Sequence, residues 1–337
     1  MKGHGGCTWS SRRARIAIGK NHRAFWQPDP IMNIEKTKGL VAATFSALHK
    51  DGSLGLEIIP KYASFLKNKK VVGVFVNGSS GEGFSFTTEE RMKIAEAWVK
   101  ASKQVDLKAI IHVGHTSVAE ECKMAAHAQE IGARGIASVG PIYFKAKSPS
   151  QLVDWCAQTA AAAPALPYYF YNIPRMSGNV VNMIDFISLA KEKIPNFAGI
   201  KFSDPGDFPG LLFCQSFDNA RFDIMHGQDE SLLSALALGI TSAIGSTYSF
   251  AAPIYNKIID AFDSNDLNTA REYQLMSVKL VGVILGTGEL IPTCKAALRL
   301  LGLDLGPVRP PLKDLDASAA AGLNKKLENL GFFKICG

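Results

Sequence analysis

One alternation runs through most of this chain and constrains its fold more than any other feature. From residue 38 onward, a short apolar run rich in β-branched and aromatic residues is followed by a loop and then by a helical stretch, eight times in succession. The eight predicted strands are Gly39–Thr44, Gly73–Asn77, Lys108–Val113, Gly135–Val139, Tyr168–Tyr171, Ala198–Phe202, Phe222–Met225 and Ser242–Gly245. Strands that alternate with helices pair in parallel through right-handed crossovers, and eight such units predict a closed (β/α)8 TIM barrel of the α/β class.

The chain has 337 residues, of which 47% are hydrophobic, and this is sufficient for one large core. We expect the barrel to occupy residues 32–251 and a C-terminal helical extension, packed on the barrel, to occupy residues 252–337. The main predicted helices of the extension are Ala270–Leu285, Ile291–Leu301 and Leu312–Leu330. Within the barrel, Thr87 and Glu90 have the spacing of a capping box at the start of a helix.

Residues 1–31 differ in composition from the rest of the chain. Their basic residues are Lys2, Arg12, Arg13, Arg15, Lys20 and Arg23. With Asp29 as the one acidic residue, the segment contributes +5 to the net charge of +7. An extension before a start at Met32, an Arg-rich mitochondrial targeting segment and a disordered tail are all compatible with this pattern. We expect an atypical basic extension, disordered and outside the fold.

Composition excludes several classes of protein. The charge that remains after residues 1–31 are set aside, +7 minus +5, is about +2, which is too small for the footprint of a nucleic-acid-binding protein. No apolar run reaches the roughly 18–20 residues that span a bilayer, so no membrane partner is expected. The cysteines contain no C-x-x-C pair, which favours free thiols in a reducing compartment and a cytoplasmic location. They are Cys7, Cys122, Cys156, Cys214, Cys294 and Cys336.

The first chemical signal is Lys201, which stands among apolar residues at the end of the sixth predicted strand. Strand C-termini form the active-site face of a barrel. Burial disfavours a charged ammonium group, and a neutral amine can attack a ketone to give an imine that accepts electrons. A lysine that extends its amine to solvent, or one in a buried ion pair, is the structural alternative.

The second signal is the aromatic strand Tyr168–Tyr171, which runs into a turn at Pro174. A phenol at a strand end can carry a proton to and from a reacting oxygen. Aromatic core packing is the expected role for at least two of the three tyrosines. Tyr171 is the last of them and is therefore the best placed to face the barrel mouth.

Two groups of loops supply further candidates. Clustered Gly and Ser residues at Asn77–Gly83 expose N–H groups and hydroxyls that can hold a small carboxylate, although such clusters are often plain turns. They lack the spacing of a nucleotide-binding P-loop. The loops Gly227–Glu230 and Gly245–Tyr248 carry adjacent carboxylates and hydroxyls that could bind a sugar. Asp229 is equally well explained as a helix cap.

A metal site is not favoured. His112 and His115 lie on either side of Gly114 after the third strand, but no acidic or cysteine partner is near them in sequence. No metal or organic cofactor is therefore predicted.

Taken together, the motifs G-S-S-G-E, Y-N-I-P, G-I-K-F-S, G-Q-D-E and G-S-T-Y resemble the dihydrodipicolinate synthase/N-acetylneuraminate lyase superfamily. The resemblance extends from about Gly39 into the C-terminal helices, with matching order and spacing, including thirty residues from Tyr171 to Lys201. The segment Gly39–Thr44 is most similar to animal members. Family membership implies a TIM-barrel class I aldolase that acts without a cofactor, in the form of a homotetramer.

The resemblance also implies roles for individual residues. Lys201 matches the lysine that forms a Schiff base with a pyruvate-type substrate, and Tyr171 matches the tyrosine that transfers the proton. Ser79 and Ser80 match the pair that bind the pyruvyl carboxylate, and Tyr143 matches a further relay tyrosine near the subunit interface. The residues implied to line a sugar site are Ser203, Gly227, Asp229, Glu230 and Ser246.

The resemblance favours one branch of the superfamily. In the synthase branch an arginine two residues after the proline of the Y-N-x-P motif holds the carboxylate of the second substrate; here Met176 stands at that position and Arg175 precedes it. The Gly-x-Asp-Glu motif instead resembles sialic acid lyases, although Ser203 replaces the threonine of bacterial members. The implied reaction is cleavage of N-acetylneuraminate, a sialic acid, to N-acetylmannosamine and pyruvate.

Two alternatives remain. One is another pyruvate-dependent aldolase, such as a 4-hydroxy-2-oxoglutarate or 2-keto-3-deoxy-sugar aldolase; the former would fit a mitochondrial targeting segment at residues 1–31. The other is a non-catalytic barrel that binds a sugar acid, since a barrel fold does not dictate function. Retention of Lys201 and Tyr171 argues against the second alternative.

Overall fold

Eight parallel strands close into a barrel in the order β1 to β8, with β8 paired back to β1. The computed structural model describes residues 34–337, and the expectation for residues 1–31 lies outside this range. The strands are β1 Gly39–Ala43, β2 Gly73–Val76, β3 Lys108–His112, β4 Gly135–Ser138, β5 Tyr168–Asn172, β6 Phe197–Phe202, β7 Asp223–His226 and β8 Ser242–Gly245. The predicted fold class is confirmed.

Each predicted strand is present, and no end differs by more than one residue. Several strands end one residue before their predicted end. The strand predicted to end at Asn77, for example, ends at Val76, because Asn77 already turns into the loop. Asn77 has a φ of 60°, in the left-handed region that asparagine tolerates better than most residues.

The helices follow the strands in alternation, and further helices follow β8. Their bounds are α1 Ile59–Asn68, α2 Thr88–Gln104, α3 Val118–Glu130, α4 Pro149–Ala161, α5 Pro174–Ser177, α6 Met183–Lys193, α7 Phe208–Ala220, α8 Leu232–Ala237, α9 Tyr248–Asp263, α10 Leu267–Leu285, α11 Leu290–Leu300, α12 Ala317–Asn329 and α13 Phe332–Cys336. The capping box predicted for α2 is formed, since Thr87 Oγ1 accepts from the backbone N–H of Glu90 and the Glu90 carboxylate accepts from the backbone N–H of Thr87.

Two hydrophobic layers hold the barrel. Side chains that point inward form a compact cluster of Val41, Ala43, Phe75, Ile110, Ala137, Val139, Tyr169, Tyr171, Ala198, Met225 and Ile244. Side chains that point outward pack against the helices in a larger cluster, in which the ring of Trp98 on α2 meets the ring of Tyr62 on α1 at 5.2 Å. Strands covered on both faces read as continuous apolar runs, which is why they were visible in the sequence.

The C-terminal helices differ from the prediction at several ends, and helix α10 begins at Leu267 instead of Ala270. The predicted helix Leu312–Leu330 begins only at Ala317, because the Asp316 side chain accepts from the backbone N–H of Ala319 and caps the helix there. Helix α9 directly follows β8 and spans residue 251, where the barrel was expected to end.

Buried charged groups connect α11, and the segment after it, to the loop that follows β2. Lys295 of α11 is 2% exposed; its Nζ donates to the carbonyl oxygen of Ser46 at 2.9 Å and lies 3.8 Å from Glu82 Oε1. The backbone N–H of Arg309 donates to Glu82 Oε2 at 2.6 Å. The C-terminal extension therefore supports a loop at the barrel mouth.

Within residues 34–337, no single helix combines the length and hydropathy needed to cross a membrane. Helices α10 and α11, which meet at an angle of 112°, satisfy the criterion only as a bent pair, by length and composition.

Gly199 of β6 tests how tightly the barrel wall is closed beside Lys201. A Cβ atom at Gly199 would lie 1.9 Å from the carbonyl oxygen of Asp223 on β7. We expect Gly199→Ala to lower the free energy of unfolding by about 3 kcal/mol, since backbone cannot rotate away from the clash. Urea denaturation monitored by circular dichroism measures the change.

Gly282→Ala is the matched control, because a Cβ atom at this position in the last turn of α10 meets nothing within 4 Å. Replacing a helical glycine with alanine should raise the free energy of unfolding by about 1 kcal/mol. Equal stability of the two variants would show that β6 and β7 are not closely paired at Gly199.

Candidate active site

Lys201 lies inside the barrel, near the C-terminal end of β6. In the sheet register it stands between Tyr171 on β5 and Met225 on β7, so the three side chains project from the same inward face at the same height. Lys201 is 4% exposed. The barrel therefore holds this amine out of solvent instead of letting it extend to the surface.

The surroundings of the amine are aromatic. Nζ of Lys201 lies 3.8 Å from the ring centroid of Tyr171 and 4.1 Å from that of Phe75. Among the described residues, no carboxylate approaches Nζ within 4.0 Å, which rules out the buried ion pair considered above. The face of an aromatic ring stabilises a cation less strongly than a carboxylate would. The rings also offer the amine no strong hydrogen-bond acceptor.

Only the last of the three tyrosines in β5 belongs to this group. The hydroxyl of Tyr168 points outward and shares a hydrogen bond with Ser138 Oγ at 2.9 Å. The hydroxyl of Tyr169 donates to Asp223 Oδ2 at 3.3 Å, lower in the barrel. Tyr171 remains in contact with Lys201, so the expectation that two of the tyrosines are core residues is confirmed.

The Gly/Ser loop after β2 is held in a fixed turn. Asn77 and Glu82 both adopt left-handed backbone, with φ of 60° and 54°. The N–H of Glu82 donates to the carbonyl of Ser79 at 3.1 Å, and Ser46 Oγ donates to the carbonyl of Gly81 at 2.7 Å. Ser79 and Ser80 are half-buried at the tip of this loop. Their hydroxyls are suited to bind a small anion.

Asp229 does not cap the helix that follows it. Its Oδ2 accepts hydrogen bonds from the backbone N–H of Thr247 at 2.9 Å and from Thr247 Oγ1 at 2.6 Å, which joins the loop after β7 to the loop after β8. Burial raises the pKa of Asp229 to about 6, although the bonds from Thr247 and the positive charge of Lys201 oppose the shift. The adjacent Glu230 is exposed.

Ser203 and Gly227 face each other across β6 and β7. The Ser203 hydroxyl is buried without a hydrogen-bond partner among the described residues, and a Cβ atom at Gly227 would lie 1.8 Å from it. A buried hydroxyl that lacks a partner is available to a ligand. Ser246 is half-buried in the loop after β8, next to Thr247.

Two residues singled out in the sequence lie on the surface of this chain. Tyr143 is 77% exposed in the loop after β4, where its ring meets Phe144 at 5.0 Å. Met176, in the position where the synthase branch has arginine, is 71% exposed.

Phe75 and His112 were not predicted as site residues. Phe75 appears in the sequence as one more apolar strand residue, and His112 as half of a weak metal pattern. Both face inward at the same end of the barrel, and the His112 ring meets those of Phe75 and Tyr171 at 5.9 Å each. The available signal was position, since His112 is the last residue of its strand.

His115, the other histidine of the weak metal pattern, instead accepts from the N–H of Ser117. Within residues 34–337, no group of three or more potential metal ligands is present.

Comparison with known proteins covers the barrel and most of the C-terminal helices. A model of the dihydrodipicolinate synthetase family matches residues 36–330. N-acetylneuraminate lyase from Rattus norvegicus is 37% identical over 306 residues, which are 90% of this chain and 95% of the relative. The Homo sapiens N-acetylneuraminate lyase is 37% identical over 303 residues, which are 88% of this chain and 94% of the relative. The structure of Proteus mirabilis N-acetylneuraminate lyase superposes with a TM-score of 0.85 at 35% identity, covering 88% of this chain and 100% of that chain.

The contact between Asp229 and Thr247 generates a prediction about titration. Thr247→Val removes the hydroxyl donor that stabilises the ionised carboxylate, so we expect the pKa of Asp229 to rise above about 6. Burial has already raised this pKa above that of an exposed aspartate, so ionisation of Asp229 costs stability as the pH rises through about 6. NMR titration of protein labelled at the aspartate carboxyl carbons measures the shift.

Asp51 supplies the internal control in the same spectra. Its carboxylate is fully exposed, and hydrogen bonds from Ser53 lower its pKa. That pKa should be the same in both proteins. An unchanged pKa for Asp229 in the variant would contradict the contact.

Proposed function

Because this chain belongs to the dihydrodipicolinate synthetase family, we propose that it is a class I aldolase that cleaves N-acetylneuraminate to N-acetylmannosamine and pyruvate through a Schiff base on Lys201. The family resemblance read from the five sequence motifs is confirmed by the match over residues 36–330. The relatives above share the name N-acetylneuraminate lyase, which supports the choice of substrate.

One observation carries the proposal at the level of chemistry: a buried amine, without a carboxylate partner among the described residues, stands beside a phenol. Lys201 and Tyr171 are register neighbours on adjacent strands, and the amine lies 3.8 Å from the Tyr171 ring. A nucleophile next to a proton carrier at the active-site end of a barrel is the arrangement that imine chemistry requires.

The reaction begins with imine formation. The Nζ atom of Lys201 attacks the C2 ketone of open-chain N-acetylneuraminate, the C2–O bond breaks, and water leaves to give a protonated imine. Ser79 and Ser80 bind the adjacent carboxylate, which fixes the orientation of C2 toward Lys201. The positive charge on the imine nitrogen prepares C2 to accept electrons.

Cleavage follows from that charge. Tyr171, assisted by the substrate carboxylate, takes the proton of the C4 hydroxyl as the C3–C4 bond breaks. The bonding electrons pass to C3 and the imine, which becomes an enamine, while C4 becomes the aldehyde of N-acetylmannosamine. The enamine takes that proton from Tyr171 at C3, which restores the tyrosine, and water then hydrolyses the imine to release pyruvate and free Lys201. The imine itself holds the electrons, so the chemistry needs no separate electron sink.

The polyol end of the substrate is assigned to the loops after β6, β7 and β8. Ser203 contributes a buried hydroxyl without a protein partner, and Glu230 an exposed carboxylate. One carboxylate oxygen of Asp229 accepts from Thr247, which holds the backbone next to Ser246. The other oxygen of Asp229 is the one assigned to the substrate. Gly227 leaves room beside Ser203.

Met176 argues against the synthase reaction, because an exposed thioether cannot replace the charged contact of an arginine with a second carboxylate. Another pyruvate aldolase remains the alternative reaction, and its products would be glyoxylate or a glyceraldehyde-type aldehyde. A product assay separates these reactions.

We also propose that the protein acts as a homotetramer in the cytoplasm and that Tyr143 assists proton transfer near a subunit interface. Four large hydrophobic residues of the loops after β4 and β5 are between 71% and 84% exposed in the single chain: Tyr143, Phe144, Met176 and Val180. Large apolar residues exposed on two successive barrel loops favour contact with another protein surface.

Lys201→Arg should remove imine formation while keeping a positive charge inside the barrel, since a guanidinium stays protonated and is not a nucleophile. We expect turnover of N-acetylneuraminate to fall by at least about 10⁴-fold. Incubation with pyruvate or with N-acetylneuraminate, followed by borohydride and mass spectrometry, should locate the adduct on Lys201 in the wild-type chain and on no lysine in the variant.

Lys108→Ala is the control, because Lys108 also lies on a barrel strand but at the opposite end, paired with Glu35 at 2.7 Å. It should retain the adduct on Lys201 and the turnover. An adduct from pyruvate alone would keep the aldolase chemistry and shift the substrate to another keto acid. No adduct from either compound would favour a barrel that binds a sugar acid without catalysis.

Glu230→Ala and Asp229→Ala should separate sugar binding from imine formation. Loss of a charged hydrogen bond corresponds to roughly 10- to 100-fold in affinity, so kcat/KM for N-acetylneuraminate should fall by about that factor. The pyruvate concentration that gives half-maximal adduct should not change. Glu272→Ala, at an exposed position on α10, is the matched control. Equal losses in both assays would assign the two carboxylates to the support of the loop instead of the sugar.

A further inference from the structure

Three buried residues form a closed cycle of hydrogen bonds behind the Gly/Ser loop. The side-chain amide of Asn77 donates to the carbonyl oxygen of Arg91 at 2.9 Å. The Arg91 guanidinium donates to the carbonyl oxygen of His112 at 2.8 Å, and His112 Nδ1 lies 3.0 Å from the carbonyl oxygen of Asn77. The cycle joins the end of β2, helix α2 and the end of β3.

All three members are shielded from solvent, at 2% exposure or less. Arg91 makes a further hydrogen bond to the carbonyl of Gly114 at 2.7 Å, and its guanidinium carbon lies 5.7 Å from the ring centroid of Phe84. A buried network in which each member serves the next fixes backbone position more sharply than exposed bonds do. None of the three side chains takes part in the reaction proposed for Lys201 and Tyr171.

The tautomer of His112 follows from its partner. A carbonyl oxygen can only accept, so Nδ1 carries the hydrogen and donates to Asn77. Nε2 has no partner among the described residues. Burial, Arg91 and Lys201 together hold the pKa of His112 well below 6.5, so the ring is neutral and keeps this tautomer.

His112 contacts both halves of the proposed active site. Through the Asn77 carbonyl, it holds the left-handed residue at which the chain turns into Ser79 and Ser80. Through its ring, it meets the Tyr171 ring edge to face, at 5.9 Å and 88°. Phe75 also meets the Tyr171 ring, at 5.5 Å, but its side chain has no hydrogen-bond donor to offer the loop.

We propose that His112 is a positioning residue for the aldolase reaction, which holds the pyruvate-carboxylate loop through its Nδ1–H group and the ring of Tyr171 through its imidazole edge. The inference rests on the proposed function, since it concerns the same site. The His112 side chain has two separate contacts, a hydrogen bond to the Asn77 carbonyl and a ring contact with Tyr171. Substitutions can remove each contact separately.

Three variants separate the two contacts. His112→Asn keeps a donor at the position of Nδ1 and removes the ring. His112→Phe keeps a ring against Tyr171 and removes the donor. His112→Leu removes both, at a smaller volume than phenylalanine, and replaces the second variant in the donor comparison if that one does not fold.

Two readouts follow the two contacts. The pyruvate concentration that gives half-maximal borohydride adduct on Lys201 reports the carboxylate loop. We expect it to rise about three- to tenfold in His112→Phe and His112→Leu and to stay near the wild-type value in His112→Asn. The kcat for N-acetylneuraminate reports Tyr171, and we expect it to fall about three- to tenfold in His112→Asn and His112→Leu and less in His112→Phe.

Thermal unfolding of each variant is measured in parallel, and the outcomes are distinct. Losses in both readouts that follow the melting temperature, without rescue by asparagine or phenylalanine, would mean that His112 only stabilises the fold and would overturn the proposal. Wild-type readouts in all three variants would overturn it as well. A wild-type chain that forms no adduct with pyruvate would instead reject the aldolase function, and the positioning role with it.

Discussion

The arrangement of this molecule depends on one constraint, the burial of a lysine amine inside a closed parallel barrel without a carboxylate partner among the described residues. The register of β5, β6 and β7 places Lys201 beside Tyr171 and Met225, and ring faces take the place that a counter-ion would occupy. In the proposed reaction, this amine forms the imine that accepts the electrons of the broken C–C bond. The barrel wall next to it is closely packed, since a Cβ atom at Gly199 would lie 1.9 Å from the carbonyl oxygen of Asp223.

The loops around this amine are joined to one another by buried polar contacts. Asp229 bonds to Thr247 and links the loops after β7 and β8, while Glu82 accepts from Arg309 and links the loop after β2 to the C-terminal segment. The Asn77–Arg91–His112 cycle links that same loop to β3. Each contact fixes one mouth loop against a different element, which is how a rigid scaffold can present residues from separate strand ends to one substrate.

Much of this architecture was readable in the residue pattern. Strands covered on both faces are continuous apolar runs, so all eight were located to within one residue at each end, and Lys201 stood out because it interrupts such a run. The helix cap considered as an alternative role for Asp229 is not formed, and local sequence does not reveal that Thr247, distant in the chain, donates to this carboxylate. The helix predicted at Leu312–Leu330 begins only at Ala317, because the Asp316 side chain caps it there.

By itself, the sequence determined the fold class, the family and the residue types proposed to carry the chemistry, because periodicity and motif spacing are local properties of the chain. Tertiary structure decided which of those residues meet. It placed Tyr143 on the surface, brought Phe75 beside Lys201, and brought His112 beside Tyr171. Such contacts join residues far apart in the chain, and they arise only when the strands align in register around a closed barrel.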